Sequence, residues 1–331
     1  MDVITNKDEE YLQKIKDIDF QPVFILGYHR SGTSILYKIL TETNSFNSVT
    51  AYHIIKYYEL LYNHENNKEE IVKEELTNYL AESGSATRKI DKMKVTADFA
   101  EEYGFLLNNQ TFEMYLKNQN IDLFREMGQK IQYISHNNKP LLLKNPYDFP
   151  NFIYIKQKIP NAKFIFIHRH PFKTISSTMK AMKVLNDDRN SYTSLLSKKY
   201  NQVYDNPLLL YYLRTSLGPL APLATMQFIL YATKVSKYYL KNIQKLPEKD
   251  YVIIKYVDLC QNTKENIERI MNYLNISPEK QLDYESLIKP RATSLHPDVD
   301  RLMKFIYKRM KKYFINFGYT PENYKEIDEK N

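Results

Sequence analysis

Cysteine is almost absent from this chain, since Cys260 is the only one. A single cysteine excludes an intrachain disulfide and any metal site built from several cysteines. Cys260 follows Val257, Asp258 and Leu259 and is most simply a small packing residue. An apolar content of 43% is enough to form a hydrophobic core without such links.

The amino terminus lacks the features of a secretory signal. Its first ten residues, Met1 to Glu10, are polar and acidic, whereas a signal begins with basic residues and continues into an apolar segment. We therefore expect a cytoplasmic protein.

The chain also lacks an uninterrupted apolar segment of membrane-spanning length. The one uncharged stretch that approaches this length runs from Thr215 to Thr233, and Gly218, Pro219 and Pro222 interrupt its first third. This pattern predicts a loop followed by a buried helix from about Leu223 to Gln244, and no membrane span.

No Gly-, Ser- or Pro-rich linker divides the 331 residues. We therefore predict one domain over 1–331, with an N-terminal extension over 1–20 and a helical C-terminal segment over 275–331.

The net charge of +8 favours anionic ligands, but Lys and Arg are interleaved with Glu and Asp. The charge is therefore only weak support for nucleotide binding.

Four short apolar segments separated by helical patterns indicate the fold class: Val23 to Leu26, Leu141 to Lys144, Phe164 to Ile167, and Tyr251 to Lys255. This order predicts an α/β fold with a central, mainly parallel sheet and helices on both faces. The helical candidates are Ile35 to Leu40, Asn67 to Ala81, Ile121 to His136, Phe152 to Lys158, Arg189 to Tyr200, Lys264 to Leu274 and Val299 to Tyr313. In such a sheet the ligand lies beyond the carboxyl ends of the strands. Gly27, Lys144 and Arg169 are all at such ends.

The segment from Gly27 to Ser34, GYHRSGTS, has the spacing of a phosphate-binding loop between a strand and a helix. This order directs backbone N–H groups and the positive end of the helix at an anion. The nucleoside triphosphate version, GxxxxGK[ST], has a lysine where Thr33 stands here. That lysine reaches the terminal phosphates, so its loss argues against ordinary ATP or GTP hydrolysis. The cation is instead at Arg30, inside the loop.

A second motif follows the strand that ends near His168. Arg169 lies at the carboxyl end of this strand, Pro171 begins a helix, and that helix carries Ser177 eight positions after Arg169. A guanidinium group matches a phosphate geometrically. The two motifs occur in the same strand-to-helix context, which makes independent structural roles for these residues the less favoured interpretation.

The two motifs together resemble those of the sulfotransferases that use 3'-phosphoadenosine 5'-phosphosulfate (PAPS) and release the desulfated product PAP. The resemblance extends from Pro22 to about Leu274 and is strongest to the bacterial branch with an RSGT consensus. It implies that Arg169 and Ser177 bind the 3'-phosphate of the donor. It also implies a P-loop-type fold in which the loop holds the 5'-phosphosulfate without a metal, through Arg30, Ser31, Gly32, Thr33 and Ser34.

Sulfuryl transfer requires cations where charge develops and a base near the acceptor. Leu142 to Pro146 resembles the central strand of the family, which ends in a lysine, so we assign Arg30 and Lys144 as the catalytic cations. The alternative for Lys144 is a solvated lysine at a strand end. The acceptor is a hydroxyl or amine of a small molecule, glycan or lipid that the sequence does not identify.

The general base cannot be assigned by the pattern of the cytosolic branch of the family. That branch has a histidine two residues after this lysine, whereas this chain has Pro146 there. Glycan and tyrosine sulfotransferases take a glutamate from the segment after the first helix. In this chain that segment offers His53, whose ordinary pKa suits proton abstraction near neutrality. A structural role for His53 is the alternative, in which case Glu101 or Glu102 is the base.

Two further features are weaker. His168 and His170 are two residues apart and could be metal ligands, but no third ligand has supportive spacing, so we expect no metal. Arg291 lies where the family often has a basic loop over the donor, although the local match is poor.

Two other functional classes compete with this interpretation. A degenerate P-loop nucleotide kinase would need a phosphate-binding lysine in the loop and an acidic strand end for magnesium. A non-catalytic nucleotide- or nucleic-acid-binding protein would use the basic charge and the 29 tyrosines, but it leaves the paired motifs unexplained. We therefore expect no nucleic-acid partner, and the oligomeric state is not indicated.

Overall fold

The apolar segments of the sequence form an all-parallel sheet in a computed structural model that describes residues 6–83, 87, 93–218, 220–288 and 294–325. The strands are β1 (Pro22–Leu26), β2 (Asn47–Ser48), β3 (Leu141–Lys144), β4 (Lys163–His168) and β5 (Tyr251–Lys255). Their order in the sheet is β2-β3-β1-β4-β5. In the register, Phe24 of the central β1 lies opposite Leu143 of β3 and Phe164 of β4.

Alternating residues of the central strands supply two hydrophobic cores. Phe24 and Phe164 point to the face covered by the helices that carry Phe124, Ile229 and Phe314. Ile25 and Ile165 point to the opposite face, covered by the helices that carry Leu36, Leu40, Ile267 and Ile270. This arrangement confirms the predicted α/β class, a single domain with helices on both faces of a parallel sheet.

Seventeen α-helices lie within the described residues. Those before β4 are α1 (Thr33–Glu42), α2 (Ala51–Ile55), α3 (Leu60–Glu65), α4 (Glu69–Glu82), α5 (Gly104–Thr111), α6 (Ile121–Ile134) and α7 (Phe152–Lys158). Those between β4 and β5 are α8 (Pro171–Asp187), α9 (Ser191–Leu196), α10 (Lys198–Tyr204), α11 (Pro207–Leu217) and α12 (Ala221–Asn242). Those after β5 are α13 (Tyr256–Gln261), α14 (Thr263–Leu274), α15 (Tyr284–Leu287), α16 (Pro297–Arg301) and α17 (Met303–Phe317).

Several boundaries differ from the sequence-based prediction. Strand β2 was missed because its two residues have polar side chains and pair with β3 through the backbone. The helix predicted from Arg189 to Tyr200 is divided at Ser197, which is extended and whose side chain accepts a hydrogen bond from the N–H of Tyr200 to begin α10. Local apolar patterns do not reveal either feature.

The helix predicted near residue 223 is present as α12, but the expectation that it is buried is wrong for one of its faces. Ile229 and Tyr239 are buried, whereas Leu223 is 62% exposed and Leu230 is 43% exposed. Among the described residues, no helix combines the length and the apolar character needed to cross a bilayer.

Candidate active site

The phosphate loop follows β1 directly and passes close to β4. A Cβ atom at Gly27 would lie 2.5 Å from the carbonyl oxygen of Ile167, so only glycine allows the loop to leave the sheet along this path. The N–H of Ser31 donates to the carbonyl of Tyr28 at 3.0 Å and closes the turn.

The next part of the loop has a left-handed backbone. Arg30 has φ 66° and Gly32 has φ 106°. Gly32 precedes the first residue of α1, Thr33, and no side chain of the described residues caps this helix. The N–H groups of its first turn therefore remain available to an anion, which is the arrangement of a phosphate site.

We predict that Gly32→Ala destabilises the protein more than Gly318→Ala. Both glycines have positive φ, but a Cβ at Gly32 would also collide with the ring of Tyr256, whereas nothing lies within 4 Å of one at Gly318. The strained conformation alone costs about 1–3 kcal/mol, and the collision adds to it only at Gly32. Urea unfolding of both variants measures the difference. Equal losses would mean that the packing against Tyr256 is not restrictive.

Three side chains predicted to bind the donor meet beside this loop. The Nε of Arg30 donates to Oγ of Ser177 on α8 at 3.2 Å. The Nη1 of Arg169 donates to the carbonyl oxygen of Arg30 at 3.2 Å, and the guanidinium group of Arg169 lies 4.3 Å from the ring centroid of Tyr256. Two cations and a hydroxyl from distant parts of the sequence thus form one cluster at the ends of β1 and β4.

The hydroxyl of Ser31 is buried in the same place. Its Oγ has no hydrogen-bond partner among the described residues. Ser31 and Arg169 line a small pocket together with Thr174 of α8. A buried hydroxyl without a partner is costly unless something satisfies it. A bound phosphate oxygen would do so, and the site therefore fits an anionic ligand.

Lys144 lies at the carboxyl end of β3 and is only 1% exposed. Its Nζ donates to Oγ of Ser34 at 3.0 Å and forms an ion pair with Oε1 of Glu102 at 3.0 Å. The alternative of a solvated lysine is therefore wrong, because this side chain is buried between the phosphate loop and a carboxylate.

Glu101 and Glu102 occupy different environments although they are adjacent in the sequence. Glu102 is the partner of Lys144 and its side chain is 17% exposed. Glu101 is 1% exposed, and its carboxylate accepts from the hydroxyl of Tyr192 at 2.9 Å and from the N–H of Glu102 at 3.1 Å. Glu101 thus anchors the segment, while Glu102 faces the loop.

His29 belongs to the site and was given no role in the sequence analysis. Burial lowers the pKa of His29; Glu102 raises it, and Arg30 and Lys144 lower it further. Its ring centroid lies 4.5 Å from that of Tyr147, in an edge-on contact. The sequence feature that could have identified it is its position inside the loop motif, directly before Arg30.

His53 has a different environment from the one assumed in the sequence analysis. It closes the first turn of α2: its Nδ1 accepts from the N–H of Thr50 at 3.1 Å, and its own N–H donates to Oγ1 of Thr50 at 3.4 Å. Burial and the charge of Lys73 lower the pKa of His53 to about 4, while Glu69 raises it. Lys73 and Glu69 belong to α4, not to the phosphate loop.

His168 and His170 are both engaged in packing. The Nδ1 of His168 lies 2.8 Å from the hydroxyl of Tyr313, its ring stacks on Phe317, and burial lowers its pKa to about 3. His170 accepts from the N–H of Phe172 at the start of α8. The part of the chain that the structure describes contains no group of three or more metal-binding side chains. Arg291 lies outside the described residues.

A comparison with protein families identifies the family to which this arrangement of loop, strand ends and helices belongs. The model of the sulfotransferase family matches residues 22–280, which is most of the chain. The chain belongs to the sulfotransferase family. This match confirms the resemblance carried by the loop and by the Arg169 motif, and it ends close to the position where the resemblance ended.

Solved sulfotransferase structures have the same fold. Sulfotransferase STF9 from Mycobacterium avium has a TM-score of 0.62 at 13% identity, covering 94% of this chain and 81% of that one. Sulfotransferase STF1 from Mycobacterium tuberculosis H37Rv has a TM-score of 0.53 at 13% identity, covering 97% of this chain and 79% of that one. At this identity the likeness concerns the fold alone. No protein of curated function matches the chain in sequence.

Proposed function

We propose that this sulfotransferase-family protein moves a sulfuryl group from PAPS to a hydroxyl or amine of a small molecule, glycan or lipid, with release of PAP. The observation that carries the proposal is the cluster of Arg30, Arg169 and Ser177 beside the phosphate loop. In this loop Thr33 replaces the lysine of the loops that bind nucleoside triphosphates. Two guanidinium groups and a hydroxyl fit a ligand with more than one phosphate. The cytoplasmic location stays a prediction.

The donor would be held at its two anionic ends. The loop residues Ser31, Gly32, Thr33 and Ser34, together with the N–H groups at the start of α1, would bind the 5'-phosphosulfate. Arg169 and Ser177 would bind the 3'-phosphate, because they lie at the end of β4 and on α8, beyond the loop. The buried, unsatisfied hydroxyl of Ser31 supports an anion at this position.

The chemistry requires that positive charge meets the developing negative charge. PAPS supplies the sulfuryl group, whose bond to a phosphate oxygen is exchanged for a bond to the acceptor oxygen or nitrogen. Arg30 and Lys144 would stabilise the charge that develops on the phosphate side, since Arg30 is part of the loop and Lys144 donates to Ser34 in the first turn of α1. The burial of Lys144 strengthens its electrostatic effect relative to that of a solvated lysine.

We propose Glu102, rather than His53, as the base that accepts the acceptor proton. Its carboxylate is 3.0 Å from the Nζ of the buried Lys144 and is itself partly exposed, so an acceptor can reach Glu102 beside this cation. His53 already uses its Nδ1 in the cap of α2, and its neighbours Lys73 and Glu69 lie on α4. His29 lies in the electrostatic field of Glu102, Arg30 and Lys144, and burial lowers its pKa.

Transfer of the label from radiolabelled PAPS should proceed in excess EDTA. Arg30 and Lys144 supply the charge that magnesium supplies in kinases, so chelation should leave turnover unchanged. The parallel assay with γ-labelled ATP should show no transfer. Loss of turnover on chelation with recovery on adding magnesium, or transfer from ATP, would instead support the degenerate kinase.

The protein should bind PAP much more tightly than AMP, and Ser177→Ala should reduce this preference. A hydrogen bond to a charged group contributes about 1.5–3 kcal/mol, so PAP affinity should fall by about 10- to 100-fold while AMP affinity stays constant. Calorimetry with both nucleotides measures the effect, with Ser216→Ala on α11 as the control hydroxyl. If the parent binds both nucleotides equally, the assignment of the 3'-phosphate to Arg169 and Ser177 is wrong.

A further inference from the structure

The exposed faces of α11 and α12 carry an unusual concentration of large apolar side chains. Leu208 is 82% exposed, Tyr211 is 72% exposed and Leu223 is 62% exposed. Elsewhere in the described chain, exposed residues of this kind are mostly scattered, which is ordinary for a protein surface. We name this region the α11/α12 surface and define it by Leu208, Tyr211, Tyr212, Leu220, Leu223, Leu230 and Tyr231.

The charged side chains of α11 and α12 themselves are all basic. From 206 to 247 the chain has no Asp or Glu, but it has five basic residues: Arg214, Lys234, Lys237, Lys241 and Lys245. On α12 the exposed face changes from apolar at Leu223 and Leu230 to basic at Lys234 and Lys237. Neither of these lysines forms an ion pair with a carboxylate of the described residues.

We propose that the α11/α12 surface docks the protein on an anionic lipid bilayer. Exposed leucine and tyrosine beside unpaired lysines is the combination that binds at the interface of such a membrane, where apolar groups enter the headgroup region and lysines attract anionic lipids. Tyrosine is favoured at this depth because its ring is apolar and its hydroxyl remains hydrated. The protein would lie on the membrane without crossing it.

The same charges disfavour the other occupants of an apolar surface. In a symmetric dimer the surface would face its own copy, so the basic helices of both subunits would be brought together, and neither α11 nor α12 carries an acidic residue to offset them. Nucleic acid would match the charge but would leave the leucines in water. An anionic bilayer satisfies both properties.

The surface also adjoins the candidate active site. The ring of Tyr231 packs against that of Tyr28 in the phosphate loop, with centroids 5.9 Å apart. Docking through α11 and α12 would therefore bring the loop side of the molecule close to the lipid. This docking depends on surface chemistry alone, so it can be measured without donor or acceptor.

The test is sedimentation of the full chain with vesicles of phosphatidylcholine, with or without phosphatidylglycerol. We expect binding to the anionic vesicles that weakens with salt and little binding to the neutral ones. Leu208→Glu combined with Tyr211→Glu should weaken binding at least about tenfold, because apolar groups are replaced by charges repelled from the surface. Each of Lys234→Gln and Lys237→Gln should weaken it about fivefold.

The matched control carries Ile71→Glu and Ile315→Glu, which remove exposed apolar side chains of α4 and α17. This control should bind vesicles like the parent. Absence of binding to anionic vesicles, or equal binding of the Leu208/Tyr211 variant, would overturn the proposal. The proposal would also be overturned if the parent did not bind vesicles but formed a dimer in sedimentation equilibrium, and if the Leu208/Tyr211 variant were monomeric. That result would assign the surface to a second copy of the chain. Sulfuryl transfer by the soluble protein is a separate measurement, so the two proposals fail independently.

Discussion

Replacing Glu102 by Gln should lower turnover by about 10²–10⁴-fold, which is the usual contribution of a general base. Glutamine keeps the size of the side chain and can still accept a hydrogen bond from Lys144, but it cannot take a proton from the acceptor. The affinity for PAP should stay near that of the parent, because the ion pair of Glu102 is with Lys144, whereas Arg169 and Ser177 are assigned to the 3'-phosphate. Single-turnover transfer from PAPS to one acceptor measures the effect.

The controls for this prediction are Glu101→Gln and His53→Ala. Glu101 accepts from Tyr192, so its variant should affect stability more than turnover. Loss of the cap formed by Thr50 and His53 should cost about 0.5–2 kcal/mol of stability, with turnover per folded molecule unchanged. An active, folded Glu102 variant beside an inactive, folded His53 variant would assign the base to His53.

The pH–rate profile separates the two candidates further. Because burial lowers the pKa of His53 to about 4, this imidazole is mostly neutral near neutral pH. Were it the base, the acidic limb would fall near pH 4 and would vanish in His53→Ala. We expect His53→Ala to keep the parental profile, and loss of the limb in this variant would contradict the assignment to Glu102.

Replacing Lys144 by Ala should lower turnover by about 10²–10³-fold, the magnitude found for removal of one group that stabilises transition-state charge. Donor binding should change less, since the loop amides and Arg169 remain. Calorimetry with PAP and single-turnover transfer from PAPS measure the two effects separately. A large loss of PAP affinity with unchanged turnover would make Lys144 a binding residue.

Lys130 is the matched control for the loss of a buried lysine. It is fully buried and pairs with Asp8 at 2.9 Å and Glu126 at 3.0 Å, away from the phosphate loop. Lys130→Ala breaks a buried ion pair and should destabilise the protein by about 3–5 kcal/mol. Turnover per folded molecule should not change, so a drop common to both variants would indicate a folding effect rather than catalysis.

Local sequence patterns were enough to predict the fold class and the strand ends beside which the candidate site lies. Buried parallel strands are short apolar runs, so β1, β3, β4 and β5 were evident, whereas β2 has no apolar run. The turn glycines Gly27 and Gly32 could also be identified from the sequence, because the tight turn between a strand and a helix requires glycine at these positions. The local sequence was therefore sufficient to predict those features whose physical cause lies within a few neighbouring residues.

Which side chains lie together at the candidate site depends on the packing of the whole chain. Arg30 meets Ser177, and Lys144 meets Glu102, across long stretches of sequence, because the carboxyl ends of neighbouring strands converge. The same packing placed His53 in a helix cap and left one apolar face of α12 in solvent. A histidine or a leucine has the same sequence signal in either environment, and its neighbours, which are set by the packing of the whole chain, determine its role.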